Sequence, residues 1–479
     1  MSPAVKRPAD RRRWGRQRSA TLNRPLALVA AAALFMENLD GTIIQTSAPA
    51  MARSFSVAPV DLNLAMTAYL LTVAVCVPVS GWCADRFGVR RVFMVALVGF
   101  TLASVLCALS VNLTELTVAR ILQGIGGAMM VPVGRLAVLR DLDRRDLLDA
   151  MAYLTWPSLL APVVAPALGG VLTDTLGWEW IFLINVPFGV LVLVVAGRII
   201  NAGPVPDVGR LDWAGFALTG VCLALLVHGV EQFADSGGGA PWAAASIGVA
   251  AGAGLLAVWW MRRSDHPLLD FSALRVATFR VGNVGGGVYR LTITAAPFLF
   301  ALLFEVGFGW SAARAGLIVG AIFLGNIAIK PLTTPLIRNL GFKTVIVGSN
   351  LAGILVYAGC VFVTASTQLW VVVSLLFASG VFRSIGFSGY NSLQFSDVPT
   401  NQVNGANTLA STMQQVATGL GVAVAALIVR VAGSVAAGAG RHDLATGYRW
   451  AFAGVALLLL FPLIEAALLH RRAGAGALS

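Results

Sequence analysis

Glu37 and Asp40 stand three residues apart inside an otherwise apolar run from Leu26 to Ser47. A helical periodicity puts both carboxylates on one face. An acid at the centre of a membrane helix costs about 2.5–3.5 kcal/mol on insertion scales, so such residues turn to a bundle interior or a wet cavity. The chemistry this pair offers is proton or cation handling. The simpler alternative is a polar pair that only packs helices together.

A basic partner is available. Arg120 falls about one turn inside the outer end of the predicted fourth span, a depth comparable to that of Asp40 in the first. A guanidinium in hydrocarbon needs an acid, and either Asp40 or Glu37 can supply one. Protonating that acid would weaken the pair and let two helices shift. A static pair that only ties the helices together is the competing reading.

The C-terminal part carries a different chemistry. Arg290, Lys330 and Arg383 fall in the middle or inner part of apolar spans, with Asn391 and Gln414/Gln415 as polar, uncharged neighbours. An excess of buried cations would attract an anionic or zwitterionic substrate. Alternatively Glu305 or a backbone carbonyl neutralises some of them, or Lys330 snorkels to the surface. Arg135, Arg430 and Glu465 read as interface charges. His228 and Glu231 share a helix face, but a lone histidine there is more simply structural.

The elements that must position these residues are membrane helices. Of 479 residues, 57% are hydrophobic and 12% charged, and the mean hydropathy is +0.81. A soluble chain would be about a quarter charged. The net charge of +12 sits in arginine clusters between apolar runs, which is a topology pattern and excludes a nucleic-acid-binding face. The five cysteines show no metal or disulfide spacing. No phosphate-binding G-x-x-x-x-G-K-[ST] loop occurs, so no cofactor is implied and any work the chain does must draw on an ion gradient or a partner. Ala48-Pro49-Ala50 resembles a signal-cleavage site, but the apolar segment before it is too long and holds two acids.

Apolar runs of about 20 residues predict an all-α membrane protein of about 14 transmembrane helices. Arginines 86, 90, 91, 140, 144, 145, 198, 210, 262, 263, 275, 280 and 338, with Lys343, Arg471 and Arg472, fall on the side of the Arg-rich N-terminal tail. That bias makes both termini cytoplasmic. Tryptophans near span ends, including Trp178, Trp213, Trp242 and Trp370, read as interfacial anchors. Pro267–Leu274 is either a short surface helix or a plain connector.

Two loops look alike: Asp85-Arg86-Phe87-Gly88-Val89-Arg90 and Arg338-Asn339-Leu340-Gly341-Phe342-Lys343. They lie eight spans apart. Two six-helix halves with two extra helices inserted between them account for that spacing, and a site at the interface of such halves is a transporter trait. The predicted organisation is a basic tail over 1–24, a first half over 25–200, a linker with the two extra helices over 201–262, and a second half over 263–479.

Gly81-Trp82-Cys83-Ala84-Asp85-Arg86-Phe87-Gly88-Val89-Arg90-Arg91 resembles the loop motif between spans two and three of the major facilitator superfamily. Arg120 through Ala128 (RILQGIGGA) resembles the fourth-span motif of its drug:proton antiporters. Leu39–Ile44 with Ala48-Pro49, and Trp178–Gly189 (WEWIFLINVPFG), resemble the first-span motif and the start of the sixth span in the 14-span EmrB/QacA-type branch, with Gly126–Leu136 nearest to MdtD-like members. The resemblance implies the major facilitator fold and a proton-coupled antiporter that exports small molecules across a bacterial cytoplasmic membrane by alternating access. It makes Asp40, paired to Arg120, the coupling acid and leaves Glu37, where the family usually has an uncharged residue, to tune substrate choice. It makes Gly81, Asp85, Arg86, Gly88, Arg90 and Arg91 a cytoplasmic gate, in which Asp85 pairs with nearby arginines.

Pro162, Pro166, Gly169 and Gly170 resemble the antiporter motif of the fifth span, although Ala161 and Ala165 stand where the family favours glycine. The expected cavity takes in Glu37, Gln123, Arg290, Lys330, Arg383, Asn391 and Gln414. No metal and no nucleic acid are implied; partners are a small-molecule substrate, protons and the bilayer, with an outer-membrane or adaptor partner left open. Two alternatives stand beside this reading. One is an exporter of an organic anion or metal chelate using Arg290, Lys330 and Arg383. The other is a membrane sensor or scaffold without transport.

Overall fold

The computed structural model describes residues 23–57, 59–140, 142–200, 209–234, 240–265, 267–310, 312–439, 444–470 and 473–477. The basic tail up to residue 22, together with Arg441, Arg471 and Arg472, lies outside the described residues. The described chain is helical with no strand. Ten of its helices are long and apolar enough to cross a membrane, and the spans expected near residues 150–172, 213–230, 313–336 and 405–430 are also helical. The protein is a multi-pass membrane protein.

The first half runs α1 (Arg24–Phe55), α2 (Asn63–Cys76), α3 (Ser80–Phe87), α4 (Val89–Leu109), α5 (Leu113–Leu139), α6 (Leu147–Thr175), α7 (Trp180–Leu183) and α8 (Asn185–Ile199). A 3-10 turn at Val77–Val79 joins α2 to α3 within one span. Two further helices, α9 (Trp213–Ala234) and α10 (Ala240–Met261), precede the second half. That half comprises α11 (Ala277–Leu302), α12 (Ala312–Ala328), α13 (Lys330–Cys360), α14 (Leu369–Ser396), α15 (Val403–Gly438), α16 (Leu444–Leu458) and α17 (Leu460–Ala467). The inner face is taken as the one on which α1 begins. Leu317, Leu355, Phe362 and Leu468 are among the large side chains turned outward, which suits a hydrocarbon surround.

The two similar loops have the same backbone. Gly88 separates α3 from α4 at φ 85°, ψ 141°, and Gly341 breaks α13 at φ 78°, ψ 158°. Both conformations lie in the left-handed half of the map, which glycine enters at no steric cost. Each loop therefore turns one inner helix end directly into the next helix, in each half alike. That shared turn is the structural form of the repeat seen in the sequence.

The inserted pair bridges the halves: α9 packs on α2 of the first and α15 of the second. Asp212 anchors it by accepting from Trp260 Nε1 at 2.9 Å, from the Gly215 amide at 2.8 Å and from the Leu268 amide at 3.3 Å. Trp82 donates to the Gly209 carbonyl at 3.1 Å, tying the linker to α3. The segment expected as a surface helix contains a 3-10 turn, Phe271–Arg275, capped by Asp270.

Some local expectations change. α1 has 32 residues, so Asp40 sits near its middle. Arg120 is the eighth residue of α5, about two turns in. Trp178 is buried against Phe55 with ring centroids 5.3 Å apart, so it packs inside the bundle, whereas Trp213, Trp242 and Trp370 are exposed.

Candidate functional site: a buried carboxylate and a seam of cations

Asp40 is 1% exposed and forms an ion pair with Arg120, also 1% exposed. The helices that bring them together are set by small residues and caps. Asn112 caps α5 by accepting from the Glu115 amide at 2.9 Å, and Glu115 reaches back to the Val111 amide at 3.1 Å, a reciprocal arrangement that fixes where the helix starts. Farther in, a Cβ on Gly124 would lie 2.8 Å from Thr72 and 2.9 Å from the Tyr69 carbonyl, so only glycine lets α5 approach α2 this closely.

The carboxylate is ringed by donors. Gln123 Nε2 and Asn185 Nδ2 both donate to Asp40 Oδ1, at 2.8 and 3.0 Å. Each also donates to Ser104 Oγ, at 2.8 and 3.3 Å. Arg120 makes a second bond, to Gln123 Oε1 at 2.7 Å, and its guanidinium lies 4.1 Å from the centroid of the Tyr69 ring. A buried ion pair is favoured when its remaining donors and acceptors are satisfied; this one has partners from α1, α4, α5 and α8, and Arg120 Nε alone of its polar atoms is buried with no hydrogen-bond partner. Asn185 arrives because the α7–α8 junction places it at the first residue of α8.

Glu37 is half-buried on the same helix. A Cβ on Gly127 would lie 3.6 Å from Glu37 Oε1 and 3.3 Å from the Tyr69 hydroxyl, so those two groups share one small space. Glu37 is within Coulombic reach of Asp40 and of Arg135. Tyr69 thus lies between the Asp40–Arg120 pair and the second acid. The structure brings Glu37, Asp40, Arg120 and Gln123 together.

Arg290 of α11 and Lys330 of α13 both bond to side chains of α14, the helix that carries Arg383. Arg290, 3% exposed, donates to Asn391 Oδ1 at 2.6 Å. Lys330, 3% exposed, donates to Ser388 Oγ at 2.7 Å. Arg383 lies 5.9 Å from the Phe323 ring centroid and has a buried nitrogen with no hydrogen-bond partner. Lys330, Ser388 and Asn391 line a small cavity with Met151 and Thr155 of α6, so they stand at the seam between halves. Glu305 is exposed, fifteen residues beyond Arg290 and so about 22 Å along the helix axis. It neutralises none of the three, and among the described residues no carboxylate forms a salt bridge with any of them. Gln414 is half-buried on α15.

At the inner face, the two halves close on each other. Asp85 lies beside the Asn404 side chain and feels it electrostatically, and Asn404 Nδ2 donates to the Gly81 carbonyl at 3.3 Å. A Cβ on Gly81 would lie 2.0 Å from Thr408 Oγ1, so α3 and α15 are in tight contact. Arg338 donates to Asp149 at 3.0 Å, and Asn407 donates to the Pro132 carbonyl at 2.9 Å. The expected arginine partner of Asp85 is replaced by an asparagine from the opposite half; Arg140 is in Coulombic range only. Arg90 donates to the Gly197 carbonyl at 2.6 Å, while Arg86 and Arg91 are exposed.

In α6, Ala161 and Ala165 are fully buried against Leu39 and Ile43 of α1, and Ser47 and Thr173 share a 2.6 Å hydrogen bond. Small residues at these positions let the two helices approach. Gly169 is buried and Gly170 half-buried; the side chains of Pro162 and Pro166 lie outside the described residues. His228 is exposed and hydrogen-bonded to Gln232 at 3.0 Å, and the Glu231 side chain lies outside the described residues.

Sequence reasoning missed Ser104, Asn185 and Tyr69. Asn185 carried a signal, an amide inside the apolar run Ile181–Phe188. The other two are ordinary membrane-helix residues that acquire meaning only from their neighbours.

Comparisons place this geometry. The chain is 34% identical over 438 residues to a Cronobacter sakazakii protein that bears the multidrug-resistance name MdtD, covering 91% of this chain and 92% of that one. It is also 34% identical over 436 residues, with the same coverage, to the Escherichia coli K12 protein of that name. Two solved structures share the fold. The human organic anion transporter MFSD10 superposes at a TM-score of 0.63 with 15% identity, covering 94% of this chain and all of that one. The proton:xylose symporter XylE, bound to 6-bromo-6-deoxy-D-glucose, superposes at 0.60 with 14% identity, covering 94% and 96%. The profile of the Major Facilitator Superfamily matches residues 30–216 and 283–476, leaving a gap over much of α9 and α10, and the chain belongs to that superfamily.

Proposed function

We propose that this carrier is a proton-coupled antiporter that exports small molecules, of the multidrug efflux type, across a bacterial cytoplasmic membrane. The inner face is then cytoplasmic, both termini lie on that side, and the proton gradient supplies the energy without a cofactor. The observation that carries the reading is the buried Asp40–Arg120 pair with its ring of amide donors.

The ionised carboxylate uses both oxygens: Oδ2 takes Arg120 and Oδ1 takes Gln123 and Asn185. A proton arriving from outside removes the charge that compensates Arg120. An uncompensated buried charge costs about 3–5 kcal/mol, enough to shift a two-state equilibrium several hundredfold. Arg120 has two other supports, Gln123 Oε1 and the Tyr69 ring, which hold the guanidinium while α1 moves relative to α5. Release of the proton to the cytoplasm restores the pair. The inner contacts through Asp85, Asn404, Asp149 and Arg338 are the gate that this cycle opens and closes.

Acid-loaded proteoliposomes with the cytoplasmic face outward test the exchange. Adding a transported amphiphile to the medium should draw protons out in step with its uptake. Uptake with no accompanying proton loss would contradict antiport.

A further inference from the structure

Small residues leave a gap where the inserted pair meets the second half. Ala257 of α10 and Gly287 of α11 line a cavity of about 320 Å³, with Thr219 of α9, Thr412 of α15 and Phe271 of the linker on its other walls. That volume lies within the range of small-molecule sites. Nothing stands within 4 Å of a Cβ built at Gly287, so the space is open there. None of the lining comes from α1 or α5, which hold Asp40 and Arg120. Among the described residues no charged side chain lines the cavity either. Thr219 spends its hydroxyl hydrogen on the Gly215 carbonyl at 2.7 Å, and Thr412 spends its own on the Thr408 carbonyl at 2.9 Å. Asn283, which also lines the cavity, is fully buried and donates Nδ2 to the Phe279 carbonyl at 2.9 Å. Its Oδ1 is buried with no hydrogen-bond partner. An unpaired buried acceptor is costly, so an orphan oxygen beside an open space marks a place for a donor. The last torsion of an asparagine is broad, and the amide can turn that oxygen toward a ligand.

We propose that this cavity binds a neutral lipophile carrying a hydroxyl group, its apolar body against the walls and its hydroxyl donating to Asn283 Oδ1. Ions are disfavoured, because the lining offers a cation no carboxylate and an anion no basic group. A plain hydrocarbon fills the space but leaves Asn283 unpaired. The hydroxyl is therefore the group that gives selectivity. The site is separate from the Asp40–Arg120 centre, yet α15 joins it to the inner closure. Thr412 stands one turn beyond Thr408, the residue against which Gly81 of α3 packs. An occupant seated among α9, α10, α11 and α15 braces that part of α15 against the insert.

Purified full-length protein in lipid nanodiscs, titrated with radiolabelled 2-naphthol and with radiolabelled naphthalene, tests this. Empty nanodiscs serve as the blank, and affinities are referred to the concentration of each probe in the bilayer. 2-Naphthol should bind saturably and about fivefold more tightly than naphthalene, the worth of one net hydrogen bond. Asn283→Leu keeps the size and removes the acceptor, and should erase that preference by weakening 2-naphthol alone. Gly287→Leu puts a side chain into the open space and takes a glycine out of a helix interior; it should abolish saturable binding of both probes. Equal affinity of the two probes in the wild type would show an apolar groove that any lipid tail fills, and would overturn the proposal. So would a hydroxyl preference that survives Asn283→Leu, binding that survives Gly287→Leu, or no saturable binding at all. Binding is read without a gradient, so the antiport reading and this site stand or fall separately.

Discussion

Asp85 and Arg338 hold the same station in the two halves, each three residues before a positive-φ glycine, and each reaches across to the start of the fifth helix of the other half. Asp85 meets Asn404, the second residue of α15, and Arg338 meets Asp149, the third residue of α6. The inner closure is thus built twice, by an approximate two-fold repeat, with different charges in each copy. Its parts differ in weight, and that difference is measurable.

The Arg338–Asp149 bridge has side chains 43% and 40% exposed, where ion pairs contribute about 0–1 kcal/mol. Asp149→Asn should therefore change transport less than about fivefold. Replacing Asn404 by alanine removes the side chain beside Asp85 and the donor to the Gly81 carbonyl, and should reduce transport more than Asp149→Asn does. Substrate uptake in cells expressing each variant at equal level compares them.

Gly81 is a steric element of the same closure. Gly81→Ala should push α3 away from Thr408 and lower transport about thirtyfold, since overpacking typically costs 1–3 kcal/mol, about a factor of thirty at the middle of that range. Thr408→Gly removes every atom that the new methyl group meets. The double variant should recover transport toward that of Thr408→Gly alone, measured by the same uptake assay.

Around Asp40, Asn185→Ala removes a donor from Oδ1 and leaves a buried acceptor less satisfied. The expected loss is about 1–3 kcal/mol of stability, read as a lower melting temperature of the purified protein, with coupled transport reduced but present. Gln123→Ala should cost more, because it also takes away the second acceptor of Arg120.

The insert supplies a fourth test. Asp212→Ala deletes the two hydrogen bonds that tie α10 and the following linker to the start of α9, and a third that caps α9 itself. Protease cleavage within 262–276 should become faster, while the Asp40–Arg120 machinery, on other helices, keeps its proton coupling.

Much of this was legible in the sequence because charge in an apolar run is conspicuous. Asp40, Arg120, Arg290 and Lys330 stand out for that reason, and the glycine-centred loops announced both the repeat and its turns. Polar residues of ordinary type carried no such mark: Ser104 and Tyr69 become site residues only when α2 and α4 pack around α5. Partners across the seam were equally hidden, since nothing near Asp85 in the chain points to Asn404. Glu305 misled for the opposite reason, as its charge suggested a counterion while its helix position puts it about 22 Å along the axis from Arg290.

Asp40→Asn in acid-loaded proteoliposomes tests the central claim most directly. Asparagine keeps the size and can still accept from Arg120, but it cannot carry the proton. Ethidium should still bind, and ethidium-stimulated proton efflux should fall to the level of vesicles without protein. Full coupled efflux in that variant would show that the proton travels by another group and would contradict the account.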